Sequence, residues 1–94
     1  MSSAGEIKPG QLVCSKSGRD KDRCYLVLEV IDQYFVRLID GDVRRIDRPK
    51  RKNIKHLQVL PATSGELAEK LKAGESITNS EVRQAISQTI GKGS

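Results

Sequence analysis

Aromatic side chains are almost missing from this sequence: Tyr25, Tyr34 and Phe35 are the only three among 94 residues, and there is no tryptophan. Binding modes that need several exposed rings are therefore disfavoured from the start. These include bases stacked along a single strand, a caged quaternary ammonium and a proline-rich peptide. Long apolar runs are absent too, so no segment reaches the ~18 residues of a membrane-span candidate. The opening stretch, Met1-Ser2-Ser3-Ala4-Gly5-Glu6, is polar where a secretory signal would be apolar. A cytoplasmic location is the resulting expectation.

Residues that carry chemistry are scarce as well. His56 is the single histidine. Spacing pairs no acid and base with Ser15, Ser17 or Cys14, and no glycine-rich phosphate loop is present, so no catalytic residue is assigned. Cys14 and Cys24 together with His56 match no zinc-ligand spacing. In a reducing compartment the two cysteines are expected as thiols, facing one another across a strand–turn–strand and buried as small hydrophobes. The expectation is a binding module with no metal, no cofactor and no enzyme activity.

Against these absences stands one concentration of charge. Residues 44–56 hold seven Lys or Arg and one Asp, a formal +6, although the whole chain is only +5. Positive charge focused beside ordinary folding sequence is the footprint of a polyanion partner. The candidate contacts are Arg44, Arg45 and Arg48, then Lys50, Arg51 and Lys52, then Asn53, Lys55 and His56. Arginine forks grip phosphate oxygens bidentately, whereas lysines act as mobile point charges. Arg44 and Arg45, adjacent in an expected strand, would project to opposite faces. Pro49 would hold the 48–52 loop extended. Arg19, Lys21 and Arg23 form a second cluster, diluted by Asp20 and Asp22.

The pattern of apolar residues changes period near Pro61, dividing 7–60 from 61–94. In the first part, strands are expected at 12–16, 24–31, 34–39, 43–46 and 57–60, with Leu26, Leu28 and Val30 on one face. Gly18 suits a loop position of positive φ, and Asp40-Gly41 is a hairpin signal. Five short strands joined by tight turns point to a small closed barrel. In the second part, Thr63 with Glu66 and Thr78 with Glu81 are capping boxes. They open two helices whose apolar stripes, Leu67, Ala68 and Leu71, then Val82, Ala85, Ile86 and Ile90, are narrow. Packing against the barrel is the first reading of those stripes, and a docking surface for a protein partner the second.

The segment from Gly10 to Ile31 resembles the KOW motif, a strand–loop–strand unit of ribosomal proteins and transcription-elongation factors. Gly10, Val13 and Ser17-Gly18 fit it, while Asp22 and Tyr25 stand near the motif's later glycines. The chain is similar more broadly to KOW-containing large-subunit ribosomal proteins of the archaeal and eukaryotic type. The shared features are Gly18-Arg19-Asp20 leading to Cys24, Asp40-Gly41 followed by Arg44-Arg45, and Asn53-Ile54-Lys55-His56-Leu57. Over its whole length it is similar to small bacterial proteins of this group with a Glu81-Val82-Arg83 helical tail. The resemblance implies an SH3-like (KOW) barrel with a two-helix tail, and a ribosomal-RNA partner on the large subunit. It also suggests a hydrogen bond from His56 to RNA. Scarce aromatics favour phosphate and shape contacts with folded RNA. A protein-interaction module and a duplex-DNA binder are the rival classes.

Overall fold

The computed structural model describes residues 7–16, 18, 22–63 and 65–91. Five strands run β1 (Gln11–Ser15), β2 (Cys24–Val30), β3 (Phe35–Ile39), β4 (Lys50–Asn53) and β5 (Leu57–Thr63), followed by α1 (Gly65–Lys72) and α2 (Asn79–Gly91). All recorded strand pairs are antiparallel, in the order β4-β3-β2-β1-β5. The sheet curls into a half-barrel, with β4 and β5 as its two ends joined by a single 3-10 turn, Ile54–His56.

Because the sheet is covered on both faces, its strands bury alternate residues in two different cores. Val13, Tyr25, Val27, Val36, Leu38 and Leu57, with Ile7, fill the inside of the curl. Leu12, Leu26 and Ile39 point the other way and meet Leu67, Ile77 and Val82 from the helices and the link between them. Leu71, Ala85 and Ile86 pack around that second cluster. The described part of the helical stripes is thus spent on the sheet, as the first reading of them expected, while the side chain of Ile90 lies outside the described residues.

Helix docking explains two turn glycines. Gly10 has φ +92°, and a Cβ there would lie 2.5 Å from the Cβ of Ala68 on α1. Gly41 has φ +79°, and a Cβ there would collide with the carbonyl oxygen of Asn79 at the start of α2. Each glycine is needed twice, for its left-handed backbone and for the close approach of a helix. The Glu81-Val82-Arg83 run acts at the same contact. Val82 is fully buried against the sheet, and Arg83 Nη1 donates to the Gly41 carbonyl at 2.7 Å. Glu81 accepts from the Thr78 amide while its own amide donates to Thr78 Oγ1, which is the expected capping box. It also pairs with Lys70 at 2.5 Å, tying α2 to α1.

Several expectations are corrected. The fourth strand is not 43–46 but Lys50–Asn53, inside the basic stretch itself. Asp40 explains why: its carboxylate accepts from the amides of Asp42 and Arg44, and the Arg44 carbonyl accepts from Asp40 and Gly41. That network closes a turn over the very residues expected to extend. In β2 the register shifts between Val27 and Glu29, so Leu26 lies opposite Ile39 while Val30 lies opposite Val36 of the other face. A bulge of this kind bends the strand and breaks simple alternation. Thr63 is the last residue of β5, and the capping role expected of its side chain lies outside the described residues. Finally, Cys14 and Cys24 are half-buried and joined by a disulfide. The expected pairing across the strands is correct, but direct opposition in the β1–β2 register brings the two sulfurs within bonding reach.

Candidate nucleic-acid interface

The basic stretch is built as an edge strand with a turn at either end. In β4, Lys50 lies opposite Leu38 and Lys52 opposite Val36, so both lysines fall on the inner side of the curl and are half-buried. Arg51 lies opposite Arg37 on the other side. Two like charges in direct opposition destabilise a strand pair unless each has other company. Here Arg37 pairs with Glu29 at 3.1 Å, and the Arg51 guanidinium lies 4.1 Å from the centre of the Phe35 ring. Both arginines remain exposed. A lysine-rich edge also prevents the end strand from recruiting another chain.

Before β4, Arg44 is half-buried, whereas Arg45 and Arg48 are exposed. Arg45 and Arg48 line an open cleft of about 760 Å³ together with Val43, Ile46, Ile77 and Asn79. α2 is tied to one side of the cleft, where the Asn79 side-chain oxygen accepts from the Ile46 amide at 2.9 Å. After β4, Asn53 uses its side-chain oxygen to cap the 3-10 turn, accepting from Lys55 N at 3.0 Å. Asn53 therefore shapes the turn that presents Lys55 and His56, which are both exposed.

Of the second expected cluster only Arg23 is described. Lys16 N donates to the His56 carbonyl at 2.8 Å, anchoring the base of the 16–23 loop to the 3-10 turn. Arg23 is exposed and lines a shallow recess with Asp40, Asp42 and Arg83. Arg19 and Lys21 lie outside the described residues. Gly18 has φ +85°, the left-handed geometry expected of it, and Asp22 has φ +73°. Aspartate tolerates that region better than most residues, which accounts for its standing near a position where the KOW motif has glycine. Lys16 is a further exposed cation that reasoning from the sequence did not single out, and it lies next to the loop signal itself.

Arg45, Arg48, Arg51, Lys55 and His56 thus form an exposed run along one edge of the sheet, continued by Lys16. Among the described residues no cluster of histidine, cysteine and carboxylates could hold a metal ion, and no helix is long and apolar enough to cross a membrane. Compared with known proteins, the chain is 34% identical over 84 residues to the large ribosomal subunit protein eL14 of Hyperthermus butylicus. The match covers 87% of this chain and 76% of that protein. The chain belongs to the eL14 family. No protein-family model matches the sequence. Membership accounts for the likeness to KOW-containing large-subunit proteins; the five strands and two helices are those expected, though the strands curl into a half-barrel where a closed barrel was expected.

Proposed function

We propose that this chain binds large-subunit ribosomal RNA through phosphate contacts made by the edge formed by residues 44–56, and that it does so as a non-catalytic component of the cytoplasmic ribosome. The observation that carries this reading is the exposed run of Arg45, Arg48, Arg51 and Lys55 on β4 and its flanking turns, which contains a single acid, Asp47. Family membership supports the choice of ribosomal RNA over other polyanions. Arg44, Lys50 and Lys52 are half-buried. In this reading they raise the local potential more than they contact phosphate, while Lys16, Arg23, Arg19, Lys21 and His56 extend the surface. The cytoplasmic assignment rests on the ribosomal family, and the disulfide runs against the free thiols that a reducing compartment led us to expect.

Salt dependence tests the reading. Four exposed cations that each neutralise one phosphate give a slope of log affinity against log salt of about −2.8 to −3.6. Replacing Arg45, Arg48 and Lys55 by Ala should flatten that slope by about 2 to 3 and weaken binding to different structured RNAs by similar factors. An unchanged slope would reject this surface. Competition between ribosomal RNA and duplex DNA of equal length then separates RNA recognition from general polyanion binding.

A further inference from the structure

Four large apolar side chains are exposed among the described residues, and three of them, Val30, Ile31 and Tyr34, fall together where β2 turns into β3. Tyr34 is 59% exposed, whereas Tyr25 is buried in the inner core and Phe35 is half-buried beneath Arg51. The exposed ring stands on a fixed backbone. The Asp32 carboxylate accepts from the amides of Tyr34 at 2.7 Å and Phe35 at 2.9 Å. The Tyr34 carbonyl accepts from Ile54 N at 2.8 Å, and Ile54 is packed on the inner core. An aromatic side chain held in this way loses little conformational freedom when something lies against it.

The surroundings indicate what that is. Phe35, the next residue, carries the Arg51 guanidinium over its ring, and Ile54 leads directly into exposed Lys55. The ring is therefore flanked by two segments of the basic stretch. The nearby acids are engaged, Glu29 by Arg37 and Asp32 by the turn amides. An apolar aromatic face set between phosphate-binding cations matches a nucleotide, which offers a flat π-surface on an anionic backbone. We infer that Tyr34 stacks on an unpaired nucleobase of the RNA whose phosphates the 44–56 edge holds. This inference rests on the RNA-binding reading above and adds to it a contact that is not electrostatic. Few aromatics rule out a long stacking platform, but one base needs only one ring.

The test measures affinity of the full chain for purified large-subunit ribosomal RNA across a range of salt, with thermal unfolding as the control for folding. Tyr34→Ala should weaken binding roughly 5- to 150-fold, the range for losing one stacked base. The loss should be the same at every salt concentration, so the slope stays that of wild type. Tyr34→Phe should keep wild-type affinity, since the ring does the stacking. Unchanged affinity in Tyr34→Ala overturns the inference, as does an equal loss in Tyr34→Phe, which would assign the contact to the hydroxyl. A loss seen only with assembled subunits and not with naked RNA would assign the turn to a protein neighbour instead. The alanine triple variant at Arg45, Arg48 and Lys55 is measured in parallel. If its slope is unchanged, the phosphate-binding edge of the reading above is rejected, whatever Tyr34 does.

Discussion

Replacing Val82 by Ala is the sharpest probe of how this molecule is held together. Val82 is 0% exposed and sits in the cluster formed by Leu12, Leu26 and Ile39 of the sheet with Leu67 and Ile77. The substitution removes two methyl groups, which at about 0.8 kcal/mol each costs about 1.6 kcal/mol of transfer free energy. Sheet and helix backbones, pinned to each other by the Arg83–Gly41 and Ile46–Asn79 hydrogen bonds, cannot collapse fully into the space left behind. The cavity raises the expected total to about 2–3 kcal/mol. For a domain of this size, roughly 4–8 °C per kcal/mol puts the fall in Tm at about 8–24 °C. Thermal unfolding followed by circular dichroism should show one transition moved to lower temperature. Native-state hydrogen exchange should show the β1, β2 and β3 amides losing protection together with α2. If α2 loses protection while the β2 amides keep theirs, the helices are an appendage and the shared core contributes nothing to the barrel.

Other outcomes follow from the same contacts. Gly41→Ala should destabilise by about 2–5 kcal/mol, combining roughly 1–2 for a left-handed side chain with about 1–3 for the clash against Asn79; denaturant unfolding measures it, and an unchanged midpoint would refute the close approach. Glu81→Gln keeps the acceptor for the Thr78 amide but removes the charge that pairs with Lys70. The hydrogen bond from Lys70, then that from the Thr78 amide, holds the Glu81 carboxyl below the usual carboxylate range, and Glu81 in turn raises Lys70. Stability from the depressed carboxyl is present above its unfolded pKa and lost as pH falls through the folded one, while that from Lys70 is present below its unfolded pKa and lost as pH rises through the folded one. Wild type should therefore exceed Glu81→Gln in stability near neutral pH and converge with it in acid and in strong base, and a pH-independent difference would argue against the pair. Reducing the disulfide, which closes a separation of 10 residues, should cost about 2–3 kcal/mol on the chain-entropy account and leave affinity for ribosomal RNA unchanged. Lost affinity in folded, reduced protein would give the disulfide a role in binding.

Composition and local pattern were enough to determine much of this protein. Seven cations in thirteen residues make a charged edge wherever the chain places them, because a core of this size cannot fully bury them. Four of the five strands, both helices, the Thr78–Glu81 box and the left-handed Gly18 follow from signals confined to a few neighbouring residues. The rest depended on contacts between residues far apart in the chain. Residues 43–46 have the composition of a strand, yet Asp40 and the Asn79 side chain hold that segment as a turn, so pairing passes to the polar run Lys50–Asn53. Periodicity placed Leu28 and Val30 with Leu26; Leu28 does pack on the cluster that holds Leu26, but a bulge that only the β3 register reveals sets Val30 opposite Val36 of the other face. Cys14 and Cys24 were expected to face each other as buried thiols, and only their direct opposition in the register makes them a disulfide. Gly10, Gly41 and Arg83 gain their meaning only from the helices that lie against the turns. Tyr34, one of only three aromatic residues, differs from Tyr25 by exposure alone, and exposure is a property of the folded sheet that no local signal encodes.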